Sequence, residues 1–119
     1  MTDLPVLDRA TLDRLRRLGG DALARQMVAL FREAAPQRVA AARAGLADGD
    51  LTAVARAAHA LVSNAGNVGG MEVVACARAL DEAGSAGRGE GIAELVDRLD
   101  AAYERLVAAL ADAEGEVPA

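Results

Sequence analysis

The chain holds one histidine, His59, and one cysteine, Cys76, and that inventory excludes most enzyme chemistry. A zinc site wants several His or Cys ligands. A di-metal carboxylate bundle wants a Glu-x-x-His pair on each of two helices. Neither set exists here, and no metal site is expected. A serine triad would have to share His59 with Ser63 or Ser85, and no oxyanion loop is in view. No ATP-binding motif is present, so the chain is not a kinase on its own. One chemistry needs no more than a single exposed ring. A neutral imidazole nitrogen is a competent nucleophile, and an ordinary histidine is largely neutral near physiological pH.

His59 sits in His-Ala-Leu-Val-Ser-Asn-Ala-Gly-Asn-Val-Gly-Gly, residues 59–70. Around it, Leu51, Val54, Ala58, Leu61, Val62 and Ala65 recur at helical spacing. At about 100° per residue they gather on one side of a helix. Thr52, Arg56, Ser63 and Asn67 gather on the other, and His59 falls with them. The ring should therefore meet solvent. Two readings fit: a surface histidine without a role, or a nucleophilic imidazole displayed on a rigid helix. Small neighbours favour display. Ala55, Ala58, Ala60 and Ser63 surround the ring, and Gly66, Gly69 and Gly70 follow it, so little would shield it from a second protein.

The elements that must position this stretch are helical. Asp8 is an N-cap candidate, with Leu7 and Leu12 at hydrophobic-staple spacing. A short helix with Leu12, Leu15 and Leu18 inward should stop at Gly19-Gly20. Asp21 can cap a second helix to about Ala47, with Leu23, Met27, Leu30 and Ala34 as one inward stripe, continued by Val39, Ala42 and Leu46. Pro36 should kink this helix or break it near Ala35. Asp48-Gly49-Asp50 is a stop followed by a cap, and the histidine helix runs from Leu51 to about Gly66. The next helix starts near Gly70 and turns Val73, Cys76, Ala77 and Leu80 inward, which makes Cys76 a structural cysteine. Residues 84–91 hold four glycines and read as a flexible connector. The last helix has the clearest period, through Ile92, Leu95, Val96, Leu99, Ala102, Tyr103, Leu106 and Leu110. Residues 113–119 should fray.

One short and four longer helices with short links predict an all-α fold: an antiparallel up-down four-helix bundle with a short N-terminal helix across one end. Residues 1–119 make a single domain with its core at about 6–112. Apolar residues make up 53% of the chain with one Phe, one Tyr and no Trp, which suits closely packed helices. The formal charge is −5 and every cation is Arg, so nucleic-acid binding is not expected. No apolar run reaches the ~18 residues of a membrane span. Asp3 and Pro5 stand where a signal peptide would be basic and then apolar. A lone cysteine fits a reducing compartment, so the expected location is cytoplasmic.

The 59–70 stretch resembles the signature of histidine-containing phosphotransfer (HPt) domains, roughly His-x-Leu-Lys-Gly-Ser-Ala-x-x-x-Gly-Ala. His59, Leu61, Ala65 and Gly69 fall on it. The family's usual lysine is Val62 here, and its usual glycine is Ser63. The resemblance covers about residues 6–110 and implies the same bundle, with a kinked rather than broken helix at Pro36. It implies a bacterial two-component phosphorelay in which His59 accepts a phosphoryl group from a receiver-domain aspartate and passes it to another. Partners would be receiver domains of response regulators and hybrid histidine kinases, with Mg²⁺ on the receiver and no cofactor on this chain. Asp81 matches a family position where some members hold a carboxylate near the ring, and so is a candidate ring orienter. Arg56, one turn before His59, is a candidate phosphate contact in place of the missing lysine. Docking is expected over Ala55, Val62, Ser63, Gly66, Asn67, Gly69 and Gly70, with the chain a monomer. The alternatives are a degenerate HPt-like module that docks receivers without transfer, and an unrelated helical interaction domain with an incidental His59.

Overall fold

The computed structural model describes residues 4–115, arranged as four helices. They are α1 (Arg9–Ala47), α2 (Leu51–Gly66), α3 (Met71–Ser85) and α4 (Ile92–Gly115). Close backbone approach runs in a ring, α1 to α2 to α3 to α4 and back to α1, with none across the diagonals. The links at 48–50, 67–70 and 86–91 are short, so successive helices run antiparallel.

Local signals explain most boundaries. The Asp8 carboxylate accepts from the Ala10 N–H at 3.1 Å, and the Asp50 carboxylate accepts from the Ala53 N–H at 3.0 Å. Each thereby satisfies a helix donor that has no partner within its own helix. Gly19 and Gly20 leave helical geometry, with Gly20 at φ 73°, a value that favours glycine. α1 is thus a short first segment and a long second one joined at a bend. The first segment closes one end of the bundle: the Asp8 N–H donates to the Gly69 carbonyl at 2.7 Å, above the α2–α3 turn. Asp21 faces Arg16, with 3.4 Å between Oδ1 and Nε.

Three expectations about α1 change. Pro36 does not break the helix near Ala35: its dihedrals stay helical, and it lies on the exposed side, where water can satisfy the carbonyl its missing N–H leaves free. The buried stripe of the long segment is Ala24, Val28, Phe31 and Ala35, one residue on from the expected one. Phe31 claims the core position beside Tyr103, with ring centroids 6.1 Å apart, and rotates Leu30 outward to 52% exposure. Leu18, expected inward, is exposed at the bend.

Elsewhere the core follows the pattern. Val54, Leu61, Val73, Leu80, Val96, Leu99, Leu106 and Leu110 are fully enclosed. α4 extends beyond the expected fraying point: Ala113 is buried and the helix reaches Gly115, while residues 116–119 lie outside the described part. Ion pairs tie α4 to its neighbours. Arg43 reaches Asp97 and Asp100, Arg32 reaches Glu114, and Arg105 reaches Glu72. Among the described residues no helix is long and apolar enough to cross a membrane.

Candidate phosphotransfer site

His59 stands on the solvent side of α2 with 80% of its side chain exposed. Its Nδ1 lies 3.0 Å from Oδ2 of Asp81 on α3. A carboxylate oxygen is an acceptor, so this contact suits the ring tautomer that carries its proton on Nδ1. In that tautomer the lone pair is on Nε2, the far nitrogen. The other Asp81 oxygen, Oδ1, accepts from the Ser85 hydroxyl at 3.1 Å. The three side chains form one chain of hydrogen bonds, with the exposed histidine ring at one end and the exposed Ser85 hydroxyl at the other.

A short carboxylate reaches the ring because α3 lies close to α2. Gly84 is not part of a flexible connector, as its sequence setting suggested. It is buried in the last turn of α3, where a Cβ would come within 2.9 Å of the Leu51 carbonyl oxygen and 3.0 Å of the Ala55 Cβ. Two small residues at that crossing bring the helices together one turn from His59 and Asp81. The connector proper begins at Ala86.

The other expected site residues divide by position. Arg56 is exposed and makes no hydrogen bond or ion pair with another described residue. Ser63, Gly66 and Asn67 are exposed and Val62 is half-buried beside the core. Ala55, Gly69 and Gly70 are buried and present no docking surface. Ala55 is covered by α3, Gly69 by Asp8 and Thr11, and Gly70 by Leu106 and Ala65. These residues set how closely the elements approach, and the exposed rim contracts to the α2 positions.

A groove that sequence reasoning missed extends the surface on the α1 side. It encloses about 410 Å³ between the two helices and includes Met27, Leu30, Arg38, Asn64 and Asn67. Asn67 lies two helical turns beyond His59, ~12 Å along the axis. The Asn64 amide oxygen is buried there without a hydrogen-bond partner among the described residues. The exposed Leu30 was the available signal, hidden because Leu30 and Phe31 compete for the same core stripe.

Cys76 is half-buried on α3. Burial pushes its thiol up, the charge of Glu72 pushes it further, and Arg105 and Arg98 oppose.

The family model for the Hpt domain matches residues 26–109, most of the chain and all of α2 and α3. The chain belongs to the Hpt domain family. Among solved structures this Hpt domain is similar to the crystal structure of histidine-containing phosphotransfer protein B (HptB) from Pseudomonas aeruginosa PAO1. The identity is 18%, with a TM-score of 0.87, over 98% of this chain and 100% of that one. At that identity the likeness establishes the bundle alone. Among curated proteins none matches the sequence. Membership puts this Hpt domain in phosphorelay histidine phosphotransfer, a family that works with receiver domains. The unrelated interaction bundle is thereby set aside.

Proposed function

We propose that this Hpt domain is a phosphorelay intermediate in which Nε2 of His59 takes a phosphoryl group from the aspartyl phosphate of one receiver and passes it to the aspartate of another. The observation that carries the reading is the 3.0 Å contact between His59 Nδ1 and Asp81 on an otherwise exposed ring. The Nε2 lone pair attacks phosphorus, the N–P bond forms, and the acyl O–P bond breaks. The receiver carboxylate leaves with the electron pair. The Nδ1 proton stays in place, so the ring becomes cationic as the bond forms, and the Asp81 carboxylate balances that charge. The return step runs the same displacement backwards on a second receiver. Mg²⁺ on the receiver spreads the phosphoryl charge, and Arg56 supplies a cation from this side.

Docking uses the exposed α2 residues Ser63, Gly66 and Asn67 with the Met27 and Leu30 side of the groove. The chain acts as a cytoplasmic monomer. A second reading, docking without transfer, is favoured by Val62, which gives an apolar side chain where a lysine would meet phosphate. Mixing the protein with a phosphorylated receiver separates the two. The relay gives acid-labile, base-stable phosphate on this chain. Binding without such label gives the docking module.

A further inference from the structure

We propose that Ser85 is a positioning residue for His59, acting through Asp81. Asp81 is three-quarters buried, and among the described residues one of its carboxylate oxygens faces Nδ1 of His59 and the other accepts from Oγ of Ser85. An aspartate bonded through one oxygen can swing about its χ angles to better-hydrated rotamers. A second bond to the other oxygen, from a residue one turn later on the same helix, holds the plane that faces the ring. Ser85 itself is fixed by the way α3 ends. Gly87 adopts φ 72°, its N–H donates to the Gly84 carbonyl at 3.1 Å, and the Arg88 N–H donates to the Ala83 carbonyl at 2.9 Å. This is the Schellman pattern, and it keeps Ser85 helical as the last residue before the cap. The close Gly84–Ala55 crossing sets the depth of Asp81 and the Gly87 cap sets the place of Ser85. The ring tautomer that leaves Nε2 free is the joint product.

The proposal concerns the resting ring and rests on the relay reading only for its consequence in transfer. The test is ¹⁵N NMR of the His59 ring at a pH where it is neutral, in wild type, Ser85→Ala, Ser85→Thr and Asp81→Ala. Free histidine favours the Nε2–H tautomer, so a dominant Nδ1–H form in wild type reports the Asp81 bond. Ser85→Ala should lower the ratio of Nδ1–H to Nε2–H about two- to threefold, the low end for one exposed hydrogen bond. Ser85→Thr, which keeps the hydroxyl, should restore it, and Asp81→Ala should bring it to the free-histidine ratio. A wild-type ratio in a folded Ser85→Ala protein overturns the proposal, as does a wild-type ring already in the Nε2–H form. Transfer from a phosphorylated receiver is followed in the same samples. If wild type takes no phosphate while Ser85→Ala still shifts the tautomer, the positioning role stands and the relay reading falls.

Discussion

Gly84 and Ala55 meet at the crossing of α3 and α2, so closely that a Cβ on Gly84 would lie 3.0 Å from the Ala55 Cβ and 2.9 Å from the Leu51 carbonyl oxygen. The second contact is to backbone, which cannot swing aside. Gly84→Leu improves helix propensity yet should destabilise the domain by about 1–3 kcal/mol, the usual cost of forcing bulk into a packed contact. Urea unfolding measures this directly. An unchanged midpoint would show that α3 moves away freely, and the account of how Asp81 reaches His59 would fail with it.

Arg56 and Val62 flank the histidine one turn before it and three residues after it. Once phosphorylated, His59 carries more negative charge, and a neighbouring cation acts mainly on that state. At exposed positions the effect should be ~0.2–1 kcal/mol, up to a few-fold in phosphohistidine lifetime or in the transfer equilibrium. Arg56→Ala should shorten the lifetime, and Val62→Lys, with its stem along the bundle edge, should lengthen it. If Arg56→Ala changes nothing, Arg56 does not compensate for the absent lysine. If only Val62→Lys accepts phosphate, the natural chain is the docking module.

Gly66 lies on the exposed side of α2, and a Cβ there would meet only Val74, at 3.9 Å. Gly66→Arg should therefore fold, with a stability change within about 1 kcal/mol, the helix-propensity and surface range. It should weaken receiver binding by about tenfold or more, the loss expected when a central interface position is blocked. Calorimetric titration with a receiver checks both affinity and fold. An unchanged affinity would move the docking surface elsewhere.

Much of this arrangement is legible in the sequence where the signal is local. Asp8 and Asp50 cap as their side chains suggest, Gly19-Gly20 bends the chain, and α2 occupies Leu51–Gly66 as the apolar period predicts. What is not legible depends on contacts between helices. A glycine in a glycine-rich segment reads as connector, and only the approach of α2 turns Gly84 into a packing residue. Asp81 is a candidate for the ring by its match to a family position, and only that approach brings its short side chain within 3.0 Å of Nδ1. Leu30 and Phe31 are adjacent apolar residues in an alanine-rich helix, and the site beside Tyr103 decides between them. The same blindness hid the groove at Asn64, whose walls are distant in sequence.

Cys76 provides a check on the core beneath the site. Its folded-state pKa is raised, first by burial and then by Glu72. A raised value means that its contribution to stability is fully present below the unfolded thiol's pKa and is lost as pH rises through the folded one. At mildly alkaline pH the folded protein should react with a disulfide reagent more slowly than a free thiol. Urea should abolish the difference. Equal rates in the folded state would mean that this face of α3 is open.

The central claim concerns one atom, Nε2 of His59. Its direct test is to incubate wild type and His59→Gln with a phosphorylated receiver and to locate the product by ³¹P and ¹⁵N NMR. The side chain is exposed, so His59→Gln should fold with a stability change within about 0.5 kcal/mol. The prediction is a single phosphoramidate on wild type, bonded to Nε2, with Nδ1 still protonated, and no acid-labile phosphate on His59→Gln. A wild-type protein that binds the receiver and stays unphosphorylated would contradict the account, and so would acid-labile phosphate retained by His59→Gln.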